Sequence, residues 1–464
     1  MAGTRALPRA SGRQWRPKPV RRHREGASLR GWLQHRLWIP PVAGAVLGAC
    51  LGIIFVKPPP LVAAMLRGVA WQGTAAEARS MLSAVLGVAL TSLSIVLSLT
   101  MLVVQNAAGQ YSPRLLRLYL HGAGIRVVIP LFVATSVFCL VAAQAFGFVP
   151  ELERAPRPAL ALAMLLLVVC EGTLVFQVLQ TLQLMRVENL VKQVRQRALT
   201  TAWMLERFRS TDVEPSPPLR ARTRDAGKDW PLRAPRNGFI VSVDAGALLK
   251  VATAHPLVVH LERAVGEPVV QGEEVGWFEA RPRGPTEALV WRAIHLGGWR
   301  STDRDVALGV RQLVDVAIKA LSPGINDPYT AVEALDQLTF LLSELSGMNL
   351  GPRVLADESG TPRVFLHGPA LRDFLALATD QILRYGAAEP AVTLRLLRLA
   401  AAVGLRAREA EDRHAARELL RDILAVAEQA RPEAPRDSLL RGHAEALEQA
   451  LDGGPWPPLP AIGF

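Results

Sequence analysis

The sequence predicts a mainly α protein. A four-helix transmembrane domain comes first, then a small β-rich, barrel-like module, then a cytosolic helical bundle. Three observations carry this expectation. Four long apolar runs, Leu37–Val56, Ser80–Val104, Ile125–Val149 and Ala159–Met185, lie before residue 186, and none of comparable length follows. Each is close to the ~20 residues a helix needs to cross the hydrocarbon core. Basic residues crowd the flanks of this region, and beyond it short alternating runs give way to apolar residues recurring every three to four positions.

The elements follow in order. Residues 1–36 form a basic segment in which Arg5, Arg9, Arg13, Arg16, Lys18, Arg21, Arg22, Arg24, Arg30 and Arg36 face one acid, Glu25. A second basic stretch, from Arg186 through Lys192, Arg195 and Arg197 to Arg209, follows the fourth run. The positive-inside rule then places both termini in the cytoplasm, with Lys57–Arg79 and Pro150–Pro158 outside. Leu47-Gly48-Ala49-Cys50 resembles a lipoprotein processing box. The apolar run nevertheless continues through Val56, so the transmembrane domain is assigned to 37–186 with a retained first span. Residues 187–235 read as a juxtamembrane helix and a Pro/Arg-rich linker. The β-rich module is expected at 236–282, with strand-like pieces at Gly238–Val243 and Leu257–Leu261 and a hairpin at Val265–Val275. The hairpin resembles that of biotinyl and lipoyl carriers but lacks a tip lysine, since Lys250 lies in a predicted helix. Residues 283–450 read as the helical domain, with helices at Asp305–Leu321, Pro328–Leu345, His367–Tyr385, Pro390–Leu405 and Arg406–Ala430, and 451–464 as a tail.

Four groups of residues are candidates for function. In span one, Gly44, Gly48 and Gly52 recur every fourth position and invite a close helix contact, within or between subunits. In span two, Ser80, Ser83, Gly87, Thr91, Ser94, Ser98 and Gln105 share one stripe at ~100° per residue; the membrane part, Thr91, Ser94, Ser98 and Gln105, fits a water-filled path or a tight helix interface. Glu171 is the one acid deep inside a span. A carboxylate there must be neutral, paired or facing water, and it could handle ions or simply bind another helix. The fourth group is the corner Ser322-Pro323-Gly324-Ile325-Asn326-Asp327-Pro328. There Pro323 ends one helix, Gly324 allows an unusual backbone angle, Asp327 caps the next helix and Pro328 begins it.

Other chemistry is not expected. Cys50, Cys139 and Cys170 fall inside spans and read as small packing residues. His255, His260 and His295 are dispersed, and Asp303 and Asp305 read as acids at a helix start. The net charge of +12 is explained by membrane topology and anionic lipid rather than nucleic acid, for which no motif is present. Phosphate-loop, nucleophile-elbow and paired-cysteine motifs are absent, so no enzyme activity, metal or cofactor is expected.

The corner, together with Val104-Gln105-Asn106-Ala107-Ala108-Gly109-Gln110-Tyr111-Ser112-Pro113-Arg114-Leu115-Leu116 and the order of features in Gly238–Val275, is similar to the predicted-membrane-protein family called domain of unknown function 2254. The likeness covers nearly the whole chain. It implies a bacterial inner-membrane protein with a cytosolic domain and no known reaction. The family often carries paired histidines near the end of the fourth span, where this chain has Leu179-Gln180, so no metal or proton role carries over from them. The sequence reading is a homo-oligomeric, multi-pass protein for ion or small-solute permeation, or its regulation. The alternative is a membrane-anchored scaffold or sensor whose soluble domain binds a partner.

Overall fold

A computed structural model describes residues 38–56, 74–110, 123–148, 157–184, 186–209, 229–430 and 437–461. These form two compact units. One draws on the described residues up to Leu93 and on Ile125–Glu171, the other on Ser94–Gly124 and Gly172 onward.

The first unit is built from α1 (Ile39–Val56) and parts of three longer helices, α2 (Ala75–Gln110), α3 (Ala123–Phe148) and α4 (Arg157–Leu184). Within the latter three, Ala76–Gln105, Arg126–Gln144 and Pro158–Gln183 are long and apolar enough to cross a membrane. The apolar stretch of α1, Ile39–Phe55, is shorter. α2 begins five residues before the expected Ser80 because Thr74 and Glu77 form a reciprocal capping box. Thr74 N donates to Glu77 Oε2 at 2.8 Å, and Glu77 N to Thr74 Oγ1 at 3.4 Å. Leu82 and Val85 of α2 pack with Phe138, Cys139 and Ala142 of α3 and with Ala159, Leu160 and Ala163 of α4. The α1 glycines settle where that helix docks. A Cβ on Gly44 would stand 2.5 Å from Pro130 O, one on Gly48 would strike Ala134 O, and one on Gly52 would lie 3.0 Å from Val141 Cβ. α1 therefore lies backbone to backbone on α3 of the same chain.

The second unit has two cores. The larger joins α5 (Val187–Arg209) to α8 (Val306–Ala320), α9 (Pro328–Leu345), α10 (Leu371–Gly386), α11 (Pro390–Arg406), α12 (Ala410–Ala430) and α13 (Asp437–Leu451). The juxtamembrane helix is thus part of the bundle: Leu190, Val191, Val194 and Ala198 are buried in it, as is Val103 from the end of α2. Gly309 lets α8 approach α5 so closely that a Cβ there would be 2.6 Å from Ala198 Cβ. Two boundaries differ from expectation. The helix expected over Arg406–Ala430 begins at Ala410, after a break at Ala407, and α13 follows it unforeseen.

The smaller core is the β-rich part. Its strands are β1 (Trp230–Arg233), β2 (Gly238–Val243), β3 (Val259–Leu261), β4 (Pro268–Val269), β5 (Glu274–Phe278), β6 (Ile294–Gly297), β7 (Arg353–Ala356) and β8 (Pro362–Leu366); α6 (Ala245–Ala254) and α7 (Thr286–Ala293) pack on them. They form two sheets, ordered β1-β5-β3-β8-β7 and β4-β2-β6, in place of one closed barrel. All pairings are antiparallel except β3 with β8. The expected module at 236–282 is therefore too narrow. β1 lies in the stretch read as linker, and β7 and β8 come from inside the stretch read as purely helical. The expected hairpin at Val265–Val275 does not form, because β4 pairs with β2 in one sheet and β5 with β1 and β3 in the other; Gly266 and Gly272, at φ +97° and +83°, turn the chain on either side of β4 at positions where a side chain would be strained.

The two faces of the larger sheet explain its sequence. Val259, Phe278 and Val364 align across three strands into the core. On the opposite face, His260 is stacked between Trp277 at 3.7 Å and Phe365 at 4.3 Å, with its Nε2 3.0 Å from Glu279 Oε1. Asp305, buried to 3 %, ties this part to the bundle. It accepts from Leu308 N at 2.9 Å as the cap of α8 and from Arg300 Nε at 2.7 Å.

Candidate functional site

The stripe on α2 is real and faces outward. Ser80, Ser83, Gly87, Thr91, Ser94, Ser98 and Gln105 are all exposed, and a Cβ on Gly87 would meet nothing within 4 Å. The opposite face, Leu82, Val85, Ala89, Ser92 and Val96, is buried. Thr91 Oγ1 donates to Gly87 O at 2.9 Å, so this hydroxyl is satisfied by its own helix and needs no water.

Glu171 does not join the stripe. Its Oε1 accepts a hydrogen bond of 2.7 Å from Ser92 Oγ, and Ser92 is 6 % exposed. At ~100° per residue, Ser92 lies roughly 140° around α2 from the middle of the stripe. The acid and the stripe therefore occupy different sides of the helix. One residue earlier, Cys170 Sγ lies 3.3 Å from Thr135 Oγ1, whose hydroxyl also reaches Leu131 O at 2.9 Å. These two side-chain contacts place polar bonds between α4 and its neighbours. Gln177 is buried lower on α4, with Nε2 3.5 Å from Thr181 Oγ1.

The corner between α8 and α9 is built as a cap. Asp327 Oδ1 accepts from Thr330 N at 3.1 Å and Oδ2 from the Thr330 hydroxyl at 2.7 Å, while Pro328 occupies the first helical turn. Ser322 Oγ donates to Lys319 O at 2.6 Å, and Asn326 N to Ser322 O at 2.8 Å. The unusual backbone angle falls on Asn326, at φ 49°, not on Gly324. Asparagine tolerates that region better than most side chains. Pro323 and Asn326 are exposed, as are Ile325 (40 %) and Tyr329 (61 %). Further along α9 the Glu333 carboxyl is pushed up, first by burial and then by the nearby charges of Glu188, Asp327 and Asp336.

The remaining candidates are structural. Cys139 and Cys170 are buried and Cys50 is exposed, all as free thiols. Among the described residues no three metal-ligating side chains gather. The Tyr111–Leu116 part of the span-two exit, and residues 57–73 and 149–156 of the two stretches expected to face outward, lie outside the described residues. Sequence reasoning missed one group altogether. Arg395 and Arg398, one turn apart on α11, sit with Asp336 of α9 and His443 of α13. Their spacing of three was legible, but nothing local marked the helices that would meet them.

Three apolar helices of spanning length, followed by helices and strands that are not long and apolar enough to span, define a predicted membrane protein. The chain belongs to the family of predicted membrane proteins designated domain of unknown function 2254, whose model matches residues 34–402. It is 30 % identical over 394 residues to an uncharacterised protein of Mycobacterium bovis, covering 81 % of this chain and 73 % of the relative. An uncharacterised protein of Mycobacterium tuberculosis matches with the same identity and coverage. No solved structure matches the chain.

Proposed function

We propose that the protein is a homo-oligomer of the bacterial inner membrane that carries, or regulates, the permeation of an ion or small solute, with the soluble unit in control. The observation that supports this reading is the outward α2 stripe, a continuous small and hydroxyl-bearing face with no partner helix against Gly87. Small residues let backbones approach, which is what drives helix association in lipid. Hydroxyls bonded to their own helix can turn toward a pore or a neighbour at low cost. Val103, at the end of the same helix, is packed into the soluble core, which offers a mechanical route for control.

In this reading α1 is a fourth span, since its 18 residues reach about 27 Å. Both termini are cytoplasmic, the β-rich part is a compact structural module, and the protein is not an enzyme and uses no cofactor or nucleic acid. Purified protein in liposomes, assayed for ion flux and sized by mass photometry, tests the proposal. A stable monomer without flux overturns it. Cysteines introduced at Gln72 and Glu153 should react with an impermeant thiol reagent in intact cells, and one at Ser216 should not. The reverse pattern would overturn the orientation.

A specific observation favours a second reading, a membrane-anchored scaffold or sensor. Glu171 is engaged by Ser92 inside the chain, which leaves the stripe without a charged group for ion selection. A soluble fragment retaining all cellular activity would support it over permeation.

A further inference from the structure

Two half-buried arginines in the helical bundle share a single carboxylate among the described residues. Arg395 and Arg398 project from one side of α11, and Asp336 Oδ1 lies 3.4 Å from Arg395 Nη1. Among the charges acting on Arg398, Arg395 opposes its own and Asp336 is the balancing carboxylate. Two guanidiniums thus share one acid. Arg398 also donates to the carbonyl of Pro457 at 3.0 Å, and its guanidinium stands 5.1 Å from the ring centre of Trp456. The C-terminal segment therefore lies on the cation without neutralising it.

Among the described residues, two polar atoms here have no hydrogen-bond partner. Arg395 Nε and His443 Nε2 are both buried, and His443 is 6 % exposed. Burial and the Arg398 charge push the His443 pKa down to about 4, so the ring is neutral near pH 7 and one nitrogen carries a proton. Leaving a buried polar atom unmet is costly. Most such groups in folded proteins have a partner, and one that lacks it in the bare chain calls for an explanation.

We propose that Arg395, Arg398 and His443 form a binding site for a small oxyanion of the phosphate or phosphomonoester class, beneath the Trp456–Pro457 segment. An oxyanion supplies what the group lacks. Its negative charge balances the second guanidinium, and its oxygens accept from Arg395 Nε and from the neutral imidazole. Arginine forks match the spacing of phosphate oxygens, which favours this class over a spherical halide. Asp336 opposes an anion, and its bond to Arg395 leaves Arg398 as the principal charge partner. Trp456, 38 % exposed, leaves a side open to solvent. The site lies in the soluble unit and does not depend on the permeation reading.

The test uses the full-length protein in detergent and in nanodiscs. Inorganic phosphate should raise its melting temperature saturably, while potassium chloride at equal ionic strength should not. Binding of this kind shifts stability with ligand concentration in a defined way. Arg395→Gln and Arg398→Gln should weaken the apparent phosphate affinity about tenfold or more. Arg406→Gln, which changes a surface arginine paired with Glu344, should leave it unaltered. If Arg398→Gln fails to fold, Arg398→Lys keeps the charge without the fork and should still lose affinity. A response to phosphate in detergent assigns the site to a free anion. A response confined to nanodiscs containing phosphatidic acid, absent with phosphatidylcholine alone and lost in the arginine variants, assigns it to a lipid headgroup. No saturable response in either medium overturns the proposal, as does a response of equal strength in wild type and both Arg→Gln variants.

Discussion

Gly44→Ala should loosen the first unit, whereas Gly87→Ala should not, although both replace a glycine in an apolar helix. At Gly44 the new methyl would stand 2.5 Å from Pro130 O, 3.1 Å from Pro130 C and 3.2 Å from Pro130 Cα. All three are backbone atoms of α3 and cannot rotate away. Ordinary contact begins near 3.4 Å, so α1 and α3 must separate by roughly 1 Å along this line; a gap of that size forfeits a quarter to a half of each van der Waals contact it opens. Gly48 and Gly52 extend the same seam over two further turns, so the loss is spread along the helix pair. Overpacking of this kind costs about 1–3 kcal/mol. At Gly87 a methyl meets nothing, and alanine is the better helix former by up to ~1 kcal/mol in a helix interior. Detergent-solubilised variants are compared by heating followed by size exclusion. Gly44→Ala should aggregate at lower temperature and Gly87→Ala at the same or a higher one. Gly87→Leu should keep the monomer's heat resistance while reducing its oligomer fraction. A Gly44→Ala protein as heat-resistant as wild type would refute the seam, and a Gly87→Leu protein with unchanged assembly would refute the stripe as an association face.

Three further outcomes are expected. Asp327→Asn should be mild, because its amide oxygen can still accept from Thr330 N, whereas Asp327→Ala should cost about 1 kcal/mol, read by chemical unfolding of the soluble unit; loss of cellular function in the Asn variant at unchanged stability would reveal a ligand or partner at the corner. Gly309→Ala should destabilise the α5–α8 seam, and Ala198→Gly in the same chain should restore much of the loss; a double variant no better than the single one would show that this contact is not the cause. In phosphate-free buffer, the folded chain resists protonating His443 until about pH 4, while an unfolded histidine takes its proton near 6.5. The unfolded state therefore binds more protons between these values, and stability should fall as pH drops through that window. His443→Gln should flatten that part of the pH profile, and an unchanged slope would contradict the shift.

Local chemistry was legible wherever a few neighbouring residues decide the outcome. Asp305 and Asp327 announce helix starts through side chains that reach only three residues ahead, and both do cap helices. Three of the four long apolar runs announce helices long and apolar enough to cross a membrane for the same reason, while the first, Ile39–Phe55, is shorter. Strands β7 and β8 were not legible. Arg353–Ala356 and Pro362–Leu366 are too short to display a period; they pair with each other, and only the pairing of Val364–Leu366 with Val259–Leu261, about a hundred positions away, brings them into the sheet. The positive φ was misplaced for a related reason. Glycine permits that angle, but the fold put it on Asn326, where the chain must turn back so that Asp327 N can reach Ala320 O.

The membrane candidates show most clearly what a pattern can and cannot say. Periodicity placed Thr91, Ser94 and Ser98 on one face of α2 and the glycines on one face of α1, and both faces exist. Periodicity carries no information about what lies opposite. The glycine face met α3 within its own chain, and the hydroxyl face met nothing beside Gly87. Glu171 is polar in an apolar sequence, and the pattern does not name its partner, which is Ser92 on the buried side of α2. The same limit hid Arg395, Arg398 and His443. Each is unremarkable in its own helix, and only the meeting of α9, α11 and α13 turns them into a concentration of positive charge with unmet donors. A polar side chain acquires its role from the partner it lacks or finds across an interface, so this group becomes visible only in the packing that brings its members together.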